Sequence, residues 1–161
     1  MPSAADLISG MPKRGYHHGN LRQALIDAAL QLIEQRGPTG FTLSEAAKQA
    51  GVTPPAVYRH FEGREDLIAE AALQGYEIFG DLIEYAYESG QPSALQAFEA
   101  TGRAYLAFAR KYPGHYIAMF ESGVQVNRTA ALATVANRAN GVLEKAATDL
   151  SQHIPEHKRP P

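Results

Sequence analysis

Apolar residues recur every three or four positions along most of the chain, which is the spacing of one face of an α-helix. In the first such segment Leu21, Leu25, Leu32 and Ile33 share a face. Glycine and proline pairs interrupt the pattern, and no segment shows the alternation typical of a half-buried strand. The sequence therefore predicts an all-α fold. Its helices are predicted over residues 18–35, 42–50, 53–61, 62–89, 92–112, 115–120 and 126–153.

Local signals mark the ends of the second and third predicted helices. Thr42 followed by Glu45 forms a capping box, in which each side chain satisfies a free backbone amide at the helix start. Gly51 ends that helix, at a position that favours a left-handed residue. Thr53 is predicted to cap the third helix, with Pro54 in its first turn, where a missing amide proton is harmless. Two short helices joined by a tight turn are typical of a helix-turn-helix.

The third predicted helix has one face in the core and one face in solvent. Val57 and Phe61 lie four positions apart, so both are expected to be buried, with Pro54 nearby. Tyr58 and Arg59 then point outward. Phenol and guanidinium groups donate hydrogen bonds to phosphates and to base edges, so this face is suited to nucleic acid.

Charge is divided unevenly along the chain, although the formal net charge is only −2. Residues 11–61 contain six lysines and arginines and three acids, whereas acids dominate over residues 62–121. This asymmetry indicates two halves with different partners.

Several classes of function lack their residues in this sequence. The 161 residues include no cysteine, which excludes disulfides and thiolate metal sites and fits a reducing, cytoplasmic compartment. His17 and His18 are adjacent but have no nearby carboxylate, which makes a poor metal site. Neither an HExxH motif, a Walker loop, a GxSxG motif nor a pair of catalytic carboxylates occurs. We therefore expect no metal, no cofactor and no enzymatic activity.

A membrane partner is not expected either. No apolar run approaches the ~18 residues of a membrane span. The first ten residues lack a basic region followed by a long apolar region, so a secretory signal is not expected.

One long segment resembles the DNA-binding domain of TetR-family transcriptional regulators. It covers residues 24–71 and reads ALIDAALQLIEQRGPTGFTLSEAAKQAGVTPPAVYRHFEGREDLIAEA. The positions that match the family pattern are Gly37, Phe41, Thr42, Ala46, Ala50, Gly51, Val52, Tyr58, His60, Phe61 and Leu67. A second segment, YPGHYIAMFESG at residues 112–123, more weakly resembles an element found in one subgroup of the family's C-terminal domains.

The resemblance implies a domain organisation and a set of partners. A flexible arm is expected over residues 1–15, a helix-turn-helix domain over 16–62, and a helical ligand-binding and dimerisation domain over 63–161, joined by a long fourth helix. The implied partners are double-stranded DNA, a second copy of the chain and a small-molecule effector. The implied location is the cytoplasm, on the bacterial nucleoid when DNA is bound.

The sequence departs from the family pattern in two places. Arg64 stands near the start of helix four, where the family usually has lysine; it keeps the positive charge but changes its reach. The predicted helices also end after the seventh, whereas family members normally continue with two more that build the dimer interface. Either the chain is shortened, or a dimer would use another surface, and the resemblance leaves both open.

DNA contacts are carried over residue by residue from the resemblance. Thr42, Tyr58 and His60 match phosphate-contacting positions. Base edges are approached in the family by the positions of Thr53, Pro54, Pro55, Ala56 and Arg59. Lys13, Arg14, Tyr16 and His17 precede helix one, where an arm reaches the DNA backbone or minor groove. Arg64 completes the DNA-contacting set.

Nine residues of the second half are candidates for an effector cavity between helices. They are Tyr76, Phe79, Ile83, Phe98, Gly102, Tyr105, Tyr116, Met119 and Phe120. Aromatic and methionine residues at helical spacing are also found in ordinary cores, and that alternative stays open. Because few basic residues lie in this region, a neutral, apolar or cationic ligand is favoured over a large polyanion.

Three functions remain open from the sequence. The first is a ligand-responsive repressor that binds a palindromic operator as a dimer and is released by a small molecule. The second is a DNA-binding regulator without an effector. The third is a helical small-molecule carrier or enzyme with an incidental helix-turn-helix.

Overall fold

The computed structural model describes residues 20–161, and every regular element in this range is helical. The elements are α1 (Leu21–Arg36), α2 (Leu43–Ala50), α3 (Pro54–Tyr58), α4 (Arg64–Gly90), α5 (Ala94–Lys111), α6 (Pro113–Phe120), α7 (Ala130–Gln152) and a 3-10 helix (Glu156–Lys158). The all-α prediction is confirmed. None of the helices in this range is both long enough and apolar enough to cross a bilayer.

The predicted bounds differ from the observed ones mainly at α3 and α7. Helix α3 has five residues, because the chain turns at Arg59 and His60, although the Phe61 amide still donates to the Val57 carbonyl at 3.0 Å. Helix α7 begins only at Ala130, where the Thr129 hydroxyl accepts a hydrogen bond from the Leu132 amide. Residues 121–129 are therefore a loop, which we call the α6–α7 loop.

Helices α1, α2 and α3 form a small unit, which we call the head (residues 20–62). Its core is built from the apolar face of α1 and the inward side chains of α2 and α3. The fully buried large side chains here are Leu25, Ile33, Phe41, Val57 and Phe61. This packing sets the orientation of α3.

The remaining helices form the body (residues 63–161). Helix α4 is 27 residues long and packs against α5, α6 and α7. The largest fully buried side chains of the body are Leu67, Phe79, Ile83, Phe108 and Leu132. Helices α5, α6 and α7 therefore all pack against α4, which is the central helix of the body.

Head and body share a continuous core. Leu67 and Ala71 of α4 are fully buried and belong to the same apolar cluster as Leu25 and Phe61 of the head. Helix α6 also packs on α1, and Gly114 makes this approach possible, since a Cβ atom there would lie 2.8 Å from the Leu30 carbonyl oxygen. The position of the head thus depends on both α4 and α6.

Candidate nucleic-acid interface

Two backbone features place α3 at an angle to α2. Gly51 adopts the left-handed conformation with φ of 73° and ends α2. The Val52 amide then donates to the Ala47 carbonyl at 3.0 Å, which fixes the turn. Pro54 follows at the first position of α3, where its ring presets the helical φ. These are the positions at which the sequence predicted the turn.

The predicted faces of α3 are confirmed. Val57 and Phe61 are buried, with 0% and 2% of their surface exposed. Tyr58 is 56% exposed, and Arg59 and His60 are also exposed. The three polar side chains predicted to face a nucleic acid therefore lie in solvent at one end of the head.

The start of α3 lies on the same exposed surface. Thr53 and Pro55 are exposed and Ala56 is half-buried. Pro54, which was predicted to lie near the buried pair, is itself exposed, because the first turn of α3 projects beyond the core. The residues predicted to approach base edges are thus brought together on one surface.

The two threonines at helix starts are bonded differently. The Thr42 hydroxyl accepts a hydrogen bond from the Glu45 amide at 3.1 Å and lies 3.3 Å from the Glu45 carboxylate, to which it donates. Thr53 occupies the N-cap position of α3, but its side chain makes no capping hydrogen bond with any residue in the range 20–161. The expectation of a side-chain cap from Thr53 is wrong, and its hydroxyl remains available for another partner.

Arg36 reinforces the capping box of α2. Its guanidinium pairs with Glu45. This hydrogen bond is the main reason that the pKa of Glu45 lies below its usual value, and backbone and side-chain hydrogen bonds from Thr42 act in the same direction. The Thr42 hydroxyl donates its hydrogen bond to this same carboxylate.

Arg64 is directed toward the head rather than toward solvent beside α3. Its Nη1 atom donates to the carbonyl oxygens of Thr39 and Phe41, each at 3.0 Å. Its Nε atom is buried and has no partner within the described residues. A DNA contact from Arg64 stays a prediction, while its hydrogen bonds hold the α1–α2 turn against the start of α4.

Two further arginines meet α4 behind the exposed surface of α3. Arg22 of α1 pairs with Glu70 and lies over the Phe61 ring, 5.2 Å from its centroid. Arg128 of the α6–α7 loop pairs with Asp66. Sequence reasoning missed both pairs, because their members lie 48 and 62 positions apart and no local pattern connects them.

Lys13, Arg14, Tyr16 and His17 lie outside the described residues. Their predicted contacts with DNA therefore stay predictions.

The nine candidate effector residues fall into two groups. The larger group is an aromatic cluster of Tyr76, Phe79, Tyr105, Tyr116 and Phe120, whose rings contact one another with centroids 5.0–6.3 Å apart. Such spacing is typical of packed aromatic pairs.

Ile83 and Met119 are also buried, with 0% and 4% of their surface exposed. Burial raises the pKa of Tyr76, and burial together with the Tyr116 hydroxyl raises that of Tyr105. Tyr76, Phe79, Ile83 and Met119 are therefore part of the core, as in the alternative left open by the sequence, whereas Tyr105 and Tyr116 are half-buried and Phe120 is exposed at its edge.

Phe98 and Gly102 belong to a different place. They line a groove of about 410 Å³ between α5 and α7, together with Tyr105. The other lining residues are Thr101, Leu106, Leu143 and Ala146. Phe98 and Leu106 are 42% and 62% exposed, so this groove is apolar and open to solvent. We call it the α5–α7 groove.

A second groove of about 310 Å³ lies between α4 and α5, where the sequence predicted none. Its lining residues are Ile78, Asp81, Leu82, Tyr85, Ala107, Phe108, Lys111 and Tyr112. Leu82 is half-buried at the edge of this groove. Across residues 20–161, no three histidine, aspartate or glutamate side chains are grouped as a metal site requires.

Comparison with known proteins identifies relatives of both parts of the chain. The family described as "Bacterial regulatory proteins, tetR family" matches residues 25–71. The family described as "Tetracyclin repressor-like, C-terminal domain" matches residues 98–160. These two matches cover most of α1, all of α2 and α3, the start of α4 and most of the body beyond it.

Individual curated relatives match over shorter segments. The chain is 31% identical over 99 residues to the uncharacterized HTH-type transcriptional regulator YobS of Bacillus subtilis, which is 61% of this chain and 50% of that protein. It is 42% identical over 65 residues to the HTH-type transcriptional regulator AcrR of Shigella flexneri, which is 40% of this chain and 30% of that protein. The chain thus spans half or less of the length of these relatives.

Solved structures share the fold over most of the described chain. A protein of unknown function from Rhodococcus sp. RHA1 superimposes with a TM-score of 0.68 at 25% identity, over 88% of this chain and 73% of that one. A bacterial regulatory protein in the tetR family from Rhodococcus RHA1 superimposes with a TM-score of 0.70 at 18% identity, over 83% of this chain and 70% of that one. The arrangement of head and body is therefore a fold that these solved structures share.

Proposed function

We propose that this chain, which belongs to the TetR family of bacterial regulatory proteins, binds duplex DNA through α3 and regulates transcription in the cytoplasm. The observation that carries the proposal is the orientation of α3, with Val57 and Phe61 buried and Tyr58, Arg59 and His60 exposed. The domain boundaries expected from the sequence remain the working division, with the head reading DNA and the body receiving a signal.

The exposed residues of α3 are proposed to contact different parts of the DNA. Tyr58 and His60 are placed to contact phosphates, while Arg59 is the side chain with the donors to read a base edge. Pro55 and Ala56 carry no side-chain donors, so they would contact apolar groups such as thymine methyls. Thr53 is a further donor, because its hydroxyl has no capping role.

Binding as a homodimer to a palindromic operator is part of the proposal. A helix of five residues reaches only a few base pairs, so one copy contacts too little DNA for specific affinity. Two copies related by a two-fold axis would place their α3 helices in successive major grooves, with half-sites roughly 34–36 Å apart or a multiple of that distance.

Release by a small molecule is also proposed, with an apolar, uncharged ligand as the favoured class. The α5–α7 groove supports it, because it is lined almost entirely by apolar atoms and includes Phe98, Gly102 and Tyr105. A ligand acts only by binding one conformation of the protein better than another. Helix α4 starts at Arg64, directly after the head and without a long flexible linker. A shift of the body would therefore also move α3.

A regulator without an effector is the second candidate. The close packing of the aromatic cluster favours it, since seven of the nine candidate residues are already in contact with other side chains of the protein. A thermal-shift screen of apolar compounds separates the two candidates, because a ligand of the folded state raises the melting temperature.

Selection of bound duplexes from a random DNA pool tests the proposed function. We expect a two-fold symmetric consensus, and affinity that falls steeply with salt because phosphate contacts release counterions. Failure to enrich any sequence, together with binding that is independent of salt, would contradict DNA recognition by α3.

Arg59→Ala is predicted to relax sequence preference at one position in each half-site. Loss of a base-edge contact costs about 1–3 kcal/mol in binding free energy. Tyr58→Phe is the matched variant for a phosphate contact, and it should weaken binding to all sequences alike. Competition titrations against duplexes altered at single positions measure both effects. An Arg59→Ala protein with unchanged preferences would contradict the assigned role.

A further inference from the structure

The first two turns of α4 carry side chains that connect it to three other segments. Arg64 donates to the α1–α2 turn, and Glu70 pairs with Arg22 of α1. Both of these connections stay between α4 and the head. Asp66 differs, because its partner Arg128 lies in the α6–α7 loop of the body, 62 positions later in the sequence.

Asp66 contacts the chain that directly follows α3. One oxygen of its carboxylate, Oδ2, accepts a hydrogen bond from the Glu62 amide at 2.9 Å. The other oxygen, Oδ1, pairs with Arg128. The pKa of Asp66 is lowered first by Arg128 and then by the amides of Glu62 and Gly63. A single carboxylate thus joins the α6–α7 loop to the turn between α3 and α4.

Arg128 is itself held in place by its surroundings. Its amide donates to the Gln125 carbonyl at 3.0 Å, and the next residue, Thr129, caps α7 through its hydroxyl. The position of the Arg128 guanidinium therefore follows the position of the loop and of the start of α7. A small cleft of about 130 Å³ brings Asp66 and Arg128 beside His60 and Phe61, at the end of α3.

We propose that Arg128 is a positioning residue for DNA recognition: by holding Asp66, it fixes the Glu62–Gly63 turn and transmits the position of the α6–α7 loop to α3. Its role in DNA affinity rests on the proposed function. Its effect on the turn is a property of the free protein and does not depend on that function.

Arg138 provides a matched control on α7, the helix that follows the α6–α7 loop. It lies on α7 and pairs with Asp81, at 2.8 Å, and with Glu84 on α4. Its side chain is 45% exposed, compared with 40% for Arg128. Arg138→Gln therefore also removes an arginine–carboxylate contact with α4, but one that involves no residue of the head.

Hydrogen exchange of the free 161-residue chain tests the link without DNA or effector. In Arg128→Gln we expect the amides of residues 60–63 to exchange about fivefold faster than in the parent protein, because the charge-assisted contact that orients Asp66 is lost. Arg138→Gln should leave that segment unchanged. Arg128→Lys keeps the charge and should give an intermediate rate.

Asp66→Asn keeps an acceptor for the Glu62 amide but loses the ion pair, so it should match Arg128→Gln. The double variant should then exchange no faster than either single variant, since both changes remove one contact. Equal exchange in Arg128→Gln and Arg138→Gln, or additive effects in the double variant, would overturn the link.

Duplex affinity tests the second half of the proposal, with a sequence enriched from the random pool as the probe. We expect roughly threefold to tenfold weaker binding for Arg128→Gln and no change for Arg138→Gln. Faster exchange with unchanged affinity would overturn the transmission to α3. If no duplex binds any of the proteins, the proposed function fails, and the exchange rates still decide whether Arg128 fixes the turn.

Discussion

At the scale of single residues, the structure distinguishes side chains that look alike in the sequence. Thr42 and Thr53 both precede a short helix, and both were predicted to cap it. The Thr42 hydroxyl accepts a hydrogen bond from the Glu45 amide and donates one to the Glu45 carboxylate. The Thr53 hydroxyl makes no capping hydrogen bond within the described chain. The Thr42 hydroxyl therefore stabilises the start of its helix, the Thr53 hydroxyl makes no such contribution, and DNA contacts from both residues stay predictions.

Thr42→Ala is predicted to reduce the free energy of unfolding by about 1 kcal/mol, the usual contribution of an N-cap side chain. Thr53→Ala should change stability much less, because no side-chain bond is lost. Urea denaturation of the two variants measures the difference. Equal losses would contradict the assignment of Thr42 as the stabilising cap.

His115 is a half-buried titratable residue of α6. Its Nε2 atom is buried without a partner among residues 20–161, and its ring lies against Tyr112. Burial holds the pKa of His115 below its usual value of 6.5, although nearby Asp27 of α1 acts in the opposite direction. The folded protein therefore favours the neutral ring.

This lowered pKa predicts a loss of stability on mild acidification. The unfolded chain takes up the proton near the usual pKa and the folded chain only at lower pH, so stability present above that value declines as the pH falls below it. We expect the loss between about pH 7.5 and about pH 5.5 to be smaller in His115→Gln than in the parent protein. Urea denaturation at the two pH values measures it, and the other histidines cancel because both proteins contain them. An equal or larger loss in His115→Gln would show that another group controls this range.

At the scale of helices, local sequence predicted the elements well and their partners poorly. The capping box, Gly51 and the spacing of Val57 and Phe61 are short-range signals, and each identified a boundary or a face of α2 and α3. The end of α3 was predicted too late, because the turn at Arg59 and His60 still keeps Phe61 in helical phase.

The candidate site was predictable only where it depends on one helix. The exposed surface of α3 followed from spacing alone. The Asp66–Arg128 pair and the inward direction of Arg64 depend on tertiary contacts between distant segments, which no local pattern reports. For the same reason, the sequence grouped Phe98 and Gly102 with the aromatic cluster, although they face a different groove.

Gly102→Ala is predicted to stabilise α5. The residue lies in the middle of an 18-residue helix, and a Cβ atom there meets nothing within 4 Å in the described part of the chain. Alanine in a helix interior is favoured over glycine by about 0.5–1 kcal/mol. Urea denaturation should show a gain of this size, and a loss would mean that the groove is filled in solution.

At the scale of the whole molecule, the contact between α6 and α1 makes the body a direct support of the head. A Cβ atom on Gly114 would lie 2.8 Å from the Leu30 carbonyl oxygen, and backbone atoms cannot rotate out of the way. Gly114 is therefore the residue that sets how closely the two helices approach.

Gly114→Ala is predicted to destabilise the protein by about 1–3 kcal/mol, the usual cost of forcing an extra methyl group into a packed contact. Gly102→Ala is the matched control, because the same change there meets open space. Thermal and urea denaturation of both variants give the comparison. Similar stability of the two variants would show that α6 and α1 separate readily.

Helix α4 contributes to the cores of both the head and the body, which restricts how this protein can be recombined with others. A fragment cut after residue 62 would lose Leu67 and Ala71, which close the hydrophobic interior around α1. A chimera that grafts the head onto a foreign domain should therefore be spliced inside α4, beyond Ala71. The splice must also preserve helical phase, since each inserted or deleted residue would rotate the foreign domain by about 100° relative to the head.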